Sequence, residues 1–294
     1  MGKPVKVDEL QRFLKEKLGR DVSLARFSHV AEKPVFRMTD AGEEVFVKVT
    51  RRDYNRRTAD FLSVADQPFL PKVRFLFDYG ERSVLGLDWQ QGQMVRPEDM
   101  NAAQCADLTR AYNRLLAELR KVGDDRLPPP DVDAWYGTIA AFAKSHPWTR
   151  PLLKGLLAIP EDERRYDPAT ATTIVSDFHC ENYAFTGDRV SAMFDFDRLR
   201  LGSPVEDLAY AIIRRYRKCR GLSRAERRNV RERFLQLVAE SPWPKKEWRR
   251  AINICRLDAA AKWFRGRTRP IGLLAAFNAG RRDRPLAELV ELIK

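Results

Sequence analysis

A polar loop set between apolar runs restricts the fold of this 294-residue chain more than any other feature. Val175-Ser176-Asp177-Phe178-His179-Cys180-Glu181-Asn182 leads into Tyr183-Ala184-Phe185. The turn signal Thr186-Gly187-Asp188-Arg189 follows, and the apolar run Val190 to Phe194 ends at Asp195-Phe196-Asp197. Two short β-prone runs around such a turn predict a hairpin. A hairpin returns the chain to its start, so the loop carboxylate, the loop amide and the distal carboxylate converge although Asp177 and Asp195 stand eighteen positions apart. Magnesium accepts carboxylate and amide oxygens of this kind, with phosphate and water filling its other positions. Singly, Asp177 and Asn182 read better as turn residues, and Asp195 as the end of a strand; their joint spacing reverses that reading and points to chemistry.

The run Asp177-Phe178-His179-Cys180-Glu181-Asn182 followed by Phe194-Asp195-Phe196-Asp197 resembles the catalytic and metal-binding signature of the aminoglycoside phosphotransferase and choline kinase-like family. That family shares a bilobal fold with protein kinases, whose own loop reads H-R-D, four residues, Asn, then D-F-G. The resemblance implies an α+β, protein kinase-like fold with a small β-rich N-lobe over residues 1–89 and a larger helical C-lobe over 90–294. It also implies ATP and Mg²⁺ as cofactors, Asp177 as catalytic base, and Asn182 and Asp195 as magnesium ligands. Asp197, one pleat further on, either joins the metal site or faces solvent. Family members commonly carry His-Gly before the catalytic Asp, where this chain has Val175-Ser176; that departure bears on the geometry of the loop rather than on its chemistry.

Upstream, Glu44-Val45-Phe46-Val47-Lys48-Val49 alternates and follows a turn at Asp40-Ala41-Gly42, with Pro34 to Met38 as its partner strand. By resemblance, Lys48 holds the α- and β-phosphates. No glycine lies between Ser28 and Lys33, so Ser28 and backbone N–H groups are expected to cap the phosphates. The acidic partner of Lys48 should come from the next helix, where Asp60 is favoured over Asp53. Val84 to Gly92 resembles the family's hinge, which aims backbone groups of Asp88, Trp89 and Gln90 at adenine; the same residues also read as a buried strand ending in a turn. Ser203, Pro204 and Glu206 fit the N-cap, N1 and N3 positions of a capping box. Asp207 in the first turn either braces the catalytic loop, as the resemblance implies, or complements the helix dipole.

A first helix is expected to carry Leu10, Phe13, Leu14 and Leu18 and to stop at Gly19. Strands follow to about Trp89. Helical patterns then fit 102–122, 132–144, 204–218, 223–240, 245–264 and 285–293. There is no internal repeat. The four cysteines, Cys105, Cys180, Cys219 and Cys255, form no C-x-x-C and with three histidines make no zinc framework. The N-terminal run has no apolar core for a signal peptide, and the expected compartment is the cytoplasm.

Charge bears on the acceptor. Residues 214–294 hold 23 Lys and Arg against 8 Asp and Glu, a net of +15, while the preceding residues carry −2. Arg214, Arg215, Arg217 and Lys218, then Arg227, Arg228, Arg231 and Arg233, then Arg265, Arg267 and Arg269, fall in the part that shapes the acceptor side in this family. Like charge opposes a polycationic aminoglycoside. The expected acceptor is therefore an anionic small molecule or saccharide, or a group presented on lipopolysaccharide or an anionic membrane surface; the same charges read equally as a solvated basic helical face with no partner. Two alternatives are a protein Ser/Thr kinase, disfavoured by the missing D-F-G glycine and A-P-E segment, and a non-enzymatic basic module binding a polyanion. No helix-turn-helix, zinc finger or aromatic-basic motif supports nucleic acid.

Overall fold

The computed structural model describes residues 5–27, 34–122, 127–217, 222–264 and 272–294. Ser28, Lys218, Arg265, Arg267 and Arg269 lie outside the described residues, as do the side chains of Arg215 and Arg217.

The N-lobe is built on helix α1 (Val7–Leu18) and a five-stranded antiparallel sheet ordered β1-β2-β3-β5-β4, with β1 Val22–Arg26, β2 Val35–Asp40, β3 Glu43–Arg51, β4 Val73–Tyr79 and β5 Arg82–Asp88. Leu10 and Leu14, one turn apart, bury the inner face of α1, which ends at Gly19 in a left-handed conformation that costs glycine nothing. The β2–β3 hairpin turns on Ala41 and Gly42, both at positive φ, as a two-residue hairpin loop requires. Successive side chains of β3 alternate between faces. Val45, Val47 and Val49 pack with Leu10, Leu14, Phe36, Met38 and Val84 in the N-lobe core. Phe46 packs instead against the cluster that extends into the C-lobe, and Lys48 shares its face. Helix α2 (Arg52–Val64) packs on the sheet through Asn55, Thr58, Ala59, Phe61 and Leu62.

The C-lobe is helical: α3 Ala102–Leu119, α4 Val132–Ser145, α5 Arg150–Leu157, α6 Pro204–Arg217, α7 Arg224–Glu240, α8 Lys245–Phe264 and α9 Gly272–Leu292. Its one larger interruption holds two small sheets. Strands β7 (Tyr183–Thr186) and β8 (Arg189–Met193) form the expected hairpin, with Tyr183 opposite Met193, and β6 (Thr172–Ile174) pairs with β9 (Arg200–Gly202). A continuous apolar cluster runs from Phe61, Leu62 and Leu87 of the N-lobe through Tyr112, Phe178, Tyr183 and Phe196 to Phe234 and Trp248. Phe61 and Phe196 meet across the lobes with ring centroids 4.9 Å apart. Burial of these aromatics fixes how the lobes sit, because each contributes about 1.5–3 kcal/mol when taken fully out of water.

Two expectations change, and one helix is new. Helix α9 begins at Gly272, well before 285, and continues through Pro285; packing against α5 and α8 offsets the backbone bond that proline removes. The short helix α5 had no expectation. The capping box at Ser203 and Glu206 does not form: Ser203 Oγ is buried without a partner among the described residues, and Glu206 binds Arg200. Such boxes form instead at α3, where Gln104 N–H donates to Asn101 Oδ1 at 2.8 Å and Asn101 N–H donates to Gln104 Oε1 at 3.1 Å, and at α7 between Ser223 and Glu226.

Candidate active site

The hairpin delivers the convergence expected of it. Phe194 N–H donates to the Asn182 carbonyl at 2.8 Å, which sets Asn182 beside the end of β8 where Asp195 projects. Asn182 is buried, and its Nδ2 donates to the Asp177 carbonyl at 2.7 Å. That bond engages the amide's nitrogen with the loop and leaves its oxygen as the atom that could ligate a cation. Asp195 adopts a left-handed φ of 58°, and its side chain is 27% exposed. Among the described residues no group of three or more His, Cys, Asp or Glu side chains forms a cation cage. Magnesium needs no such cage when phosphates supply further ligands, and one or two carboxylates with an amide oxygen suffice. Asn182 and Asp195 fit that requirement.

Asp177 lies half-buried in the loop. Its Oδ1 is 3.3 Å from Arg214 Nη1 of α6 and 3.6 Å from His179 Nε2. Arg214 also reaches Glu181 at 3.6 Å. Burial, reinforced by the Arg214 guanidinium, holds the His179 imidazole down at about 4 despite the nearby carboxylates. At neutral pH His179 is therefore uncharged beside Asp177.

The loop is braced from below. Asp207 of α6 accepts Val175 N–H at 2.7 Å, Ser176 N–H at 2.8 Å and the Tyr112 hydroxyl at 2.9 Å. Burial pushes the Asp207 carboxyl up to about 7, against the pull of its donors. Of the two readings of Asp207, the contacts are those of a brace. Ser176 carries a φ of 65°, a region that costs an L-residue roughly 1–2 kcal/mol. The departure from His-Gly thus falls where glycine's freedom matters.

Lys48 Nζ lies 2.5 Å from Asp195 Oδ1 and 2.7 Å from Asp197 Oδ1. Its burial opposes the charge, but the two carboxylates outweigh that and raise the ammonium above its ordinary value. Asp60 does not serve as its partner. It is exposed on α2, and Asp53 is engaged by Arg51 and Arg57. The inner face of α2 offers Asn55 and Thr58, whose polar atoms reach the Lys48 carbonyl at 3.3 Å and Asp197 Oδ1 at 3.3 Å. Asp197 does not face solvent either: it is 1% exposed. Spacing alone gave no sign of this, since Asp197 differs from a strand-end acid only in what packs over it.

The hinge segment is half-buried from Asp88 to Gln90. Asp88 N–H donates to the Lys72 carbonyl at 2.9 Å and Trp89 N–H to Glu44 at 3.3 Å, so neither donor is turned to adenine. Asp88's side chain pairs with Arg74. Trp89 packs edge-on to Phe27 with centroids 5.4 Å apart, and Arg37 covers its ring. Phe46, on the Lys48 face of β3, is a cleft residue that the sequence reading passed over; its position two residues before Lys48 was the available signal. Beside the Asp177–Asn182 loop a cavity of about 180 Å³ is lined by Asp177, Trp135, Arg198, Tyr210 and Lys262.

The sequence model of the phosphotransferase enzyme family matches residues 23–251. No curated protein matches the chain by sequence. Among solved structures, the aminoglycoside phosphotransferase APH(4)-Ia, in ternary complex with ADP and hygromycin B, is 14% identical with a TM-score of 0.60 over 96% of this chain and 98% of that one. The macrolide 2'-phosphotransferase MphH from Brachybacterium faecium is 15% identical with a TM-score of 0.58 over 97% of each. Spectinomycin phosphotransferase APH(9)-Ia, in complex with ADP and spectinomycin, is 9% identical with a TM-score of 0.62 over 99% of each. At such identities these likenesses establish the kinase-like fold.

Proposed function

The chain belongs to the phosphotransferase enzyme family, and we propose that it transfers the γ-phosphoryl group of ATP, with Mg²⁺, to a hydroxyl of a small molecule or saccharide that carries negative charge. The observation that carries this reading is the meeting of Lys48 with Asp195 at 2.5 Å beside the Asp177–Asn182 loop. Phosphoryl transfer asks of a protein chiefly position and charge, and these residues supply both. Asn182 and Asp195 would hold magnesium, which would offset the charge of the phosphate oxygens of the bound nucleotide. Lys48 binds the non-transferred phosphates. Asp177 orients the acceptor hydroxyl and takes its proton as the new O–P bond forms and the bond to ADP breaks. Neutral His179 leaves that carboxylate without a second fixed cation. With the Asp88 and Trp89 N–H groups engaged, backbone recognition of the base falls to Gln90 and the carbonyls around it. Ser28, outside the described residues, belongs to the segment proposed to cover the phosphates.

Three features support an anionic acceptor. Arg214 points at Asp177 and Glu181. Arg198 lines the cavity next to Asp177 without an ion-pair partner among the described residues. The C-terminal segment carries +15. Trp135 and Tyr210 on the same cavity suit the apolar face of a sugar ring. A saccharide phosphate, free or displayed on an anionic surface, meets all of these. Among the described residues no helix is long and apolar enough to cross a membrane, and the proposed place of action is the cytoplasm, where ATP is supplied.

The test is thermal. ATP with Mg²⁺ raises the melting temperature of the protein, and Asp195→Ala removes the metal-dependent part of that rise. Asp177→Asn keeps the rise and loses turnover in an ATP-consumption screen of phosphorylated and unphosphorylated sugars. Absence of any nucleotide-linked stabilisation overturns the reading.

A further inference from the structure

Resting on the nucleotide reading of the cleft given above, we propose that Asp197 is the positioning residue that anchors Lys48, in the place of an acid from helix α2, and that it is not a metal ligand. The inner face of α2 has no carboxylate. Its buried residues are Asn55, Thr58, Ala59, Phe61 and Leu62, while Asp60 is exposed and Asp53 pairs with Arg51 and Arg57. What α2 holds is the strand rather than the ammonium: Asn55 Nδ2 donates to the Lys48 carbonyl at 3.3 Å and to the Ser83 carbonyl at 3.0 Å. The charge partner arrives from the other lobe. Asp197 Oδ1 is 2.7 Å from Lys48 Nζ and accepts the Thr58 hydroxyl at 3.3 Å.

The two carboxylates on Lys48 differ in what they can do. Asp195 is 27% exposed on its side chain and opens on the cleft, so it is placed to ligate a metal. Asp197 is 1% exposed on its side chain, walled in by Thr58 and Lys48. Magnesium keeps several waters and gives up its hydration reluctantly, so a fully enclosed carboxylate already bound to an ammonium is a poor ligand. Once Asp195 turns to the metal, Lys48 loses one of its two partners. Asp197 then keeps the ammonium aligned for the α- and β-phosphates. A buried lysine left with no anion keeps an uncompensated desolvation penalty and swings away from its site, so the anchor determines whether Lys48 stays aligned.

The experiment measures binding of ADP without metal, and separately the Mg²⁺ concentration that gives half of the ATP-dependent melting shift. Lys48→Met weakens metal-free ADP binding about tenfold, the loss of one charge-assisted contact to phosphate. Asp197→Asn is expected to weaken it to a similar degree and to leave the Mg²⁺ half-point unchanged, whereas Asp195→Asn moves that half-point. Adding Thr58→Glu to Asp197→Asn puts a carboxylate back from α2 and restores most of the ADP affinity, which a merely structural defect would not do. If Lys48→Met leaves ADP binding intact, the nucleotide reading fails and this proposal with it. If Lys48→Met weakens ADP but Asp197→Asn does not, or if Asp197→Asn moves the Mg²⁺ half-point as Asp195→Asn does, the anchor role alone is overturned. Should Asp197→Asn not fold, Asp197→Glu applies the same criteria: the extra methylene displaces the carboxylate, weakening ADP several-fold without moving the Mg²⁺ half-point, and unchanged ADP affinity overturns the proposal.

Discussion

Asp207 Oδ1 accepts the N–H of Ser176 at 2.8 Å, and Ser176 is held at a φ of 65° one residue before Asp177. A carboxylate on α6 therefore pins the one loop residue whose backbone an L-amino acid disfavours. Ser176→Gly removes the Cβ that makes this conformation costly, and glycine's greater freedom in the unfolded chain cancels part of the gain. The expected result is a net stabilisation of about 1 kcal/mol, read as a higher melting temperature with turnover kept.

Removing the brace has the opposite effect. Asp207→Ala leaves the Val175 and Ser176 N–H groups and the Tyr112 hydroxyl without their acceptor in a buried site. The expected destabilisation is about 3 kcal/mol or more, with loss of turnover. Tyr112→Phe, which deletes one of the three donors, costs about 1 kcal/mol, both losses being read from denaturant titration of the unfolding free energy.

His179 makes stability depend on pH. Its folded value of about 4 lies below the ordinary 6.5, because burial and Arg214 disfavour the imidazolium. A depressed value means that the folded protein binds fewer protons than the unfolded one between those limits. The contribution is then fully present above 6.5 and is lost as pH falls toward 4. It is on the order of 3 kcal/mol over that window. His179→Gln flattens the curve of unfolding free energy against pH between 6.5 and 4, as measured by urea titration at successive pH values.

Gly92 lies at a φ of 148°, and a Cβ there would sit 2.4 Å from Ser191 Oγ and 2.9 Å from Ala184 Cβ. Gly92→Ala forces the hinge away from the β7–β8 hairpin. The expected cost is about 1–3 kcal/mol of stability, together with a raised KM for ATP and a smaller change in kcat.

Much of this site is legible in the chain itself because local rules dominate there. The turn at Thr186–Arg189 and the alternation of Glu44 to Val49 each fix an element, and the hairpin then has no choice but to bring Asn182 to Asp195. Asp60 was misread because the sequence numbers the acids on α2 without saying which face they occupy. Asn55, Thr58 and Phe61 take the buried face, leaving Asp60 outside. Asp197 was invisible for the complementary reason, since its role is defined by Lys48 and Thr58, more than 130 positions away. The false capping box at Ser203 shows a local signal overridden by a tertiary one, the pull of Arg200 on Glu206. Pro285 likewise read as a helix start, although packing carries α9 through it.

Gln93 exchanges both backbone hydrogen bonds with Phe185, at 2.8 and 2.9 Å, so the connection between lobes is stitched to the hairpin that bears Asn182. The chain beyond residue 93 consequently travels with the large lobe. Lys48 and Asn182 are thereby referred to one another twice, through the ion pair with Asp197 and through this backbone seam. A substitution that loosens the seam therefore disturbs the spacing of the phosphate-facing lysine and the loop amide together, although it touches neither side chain.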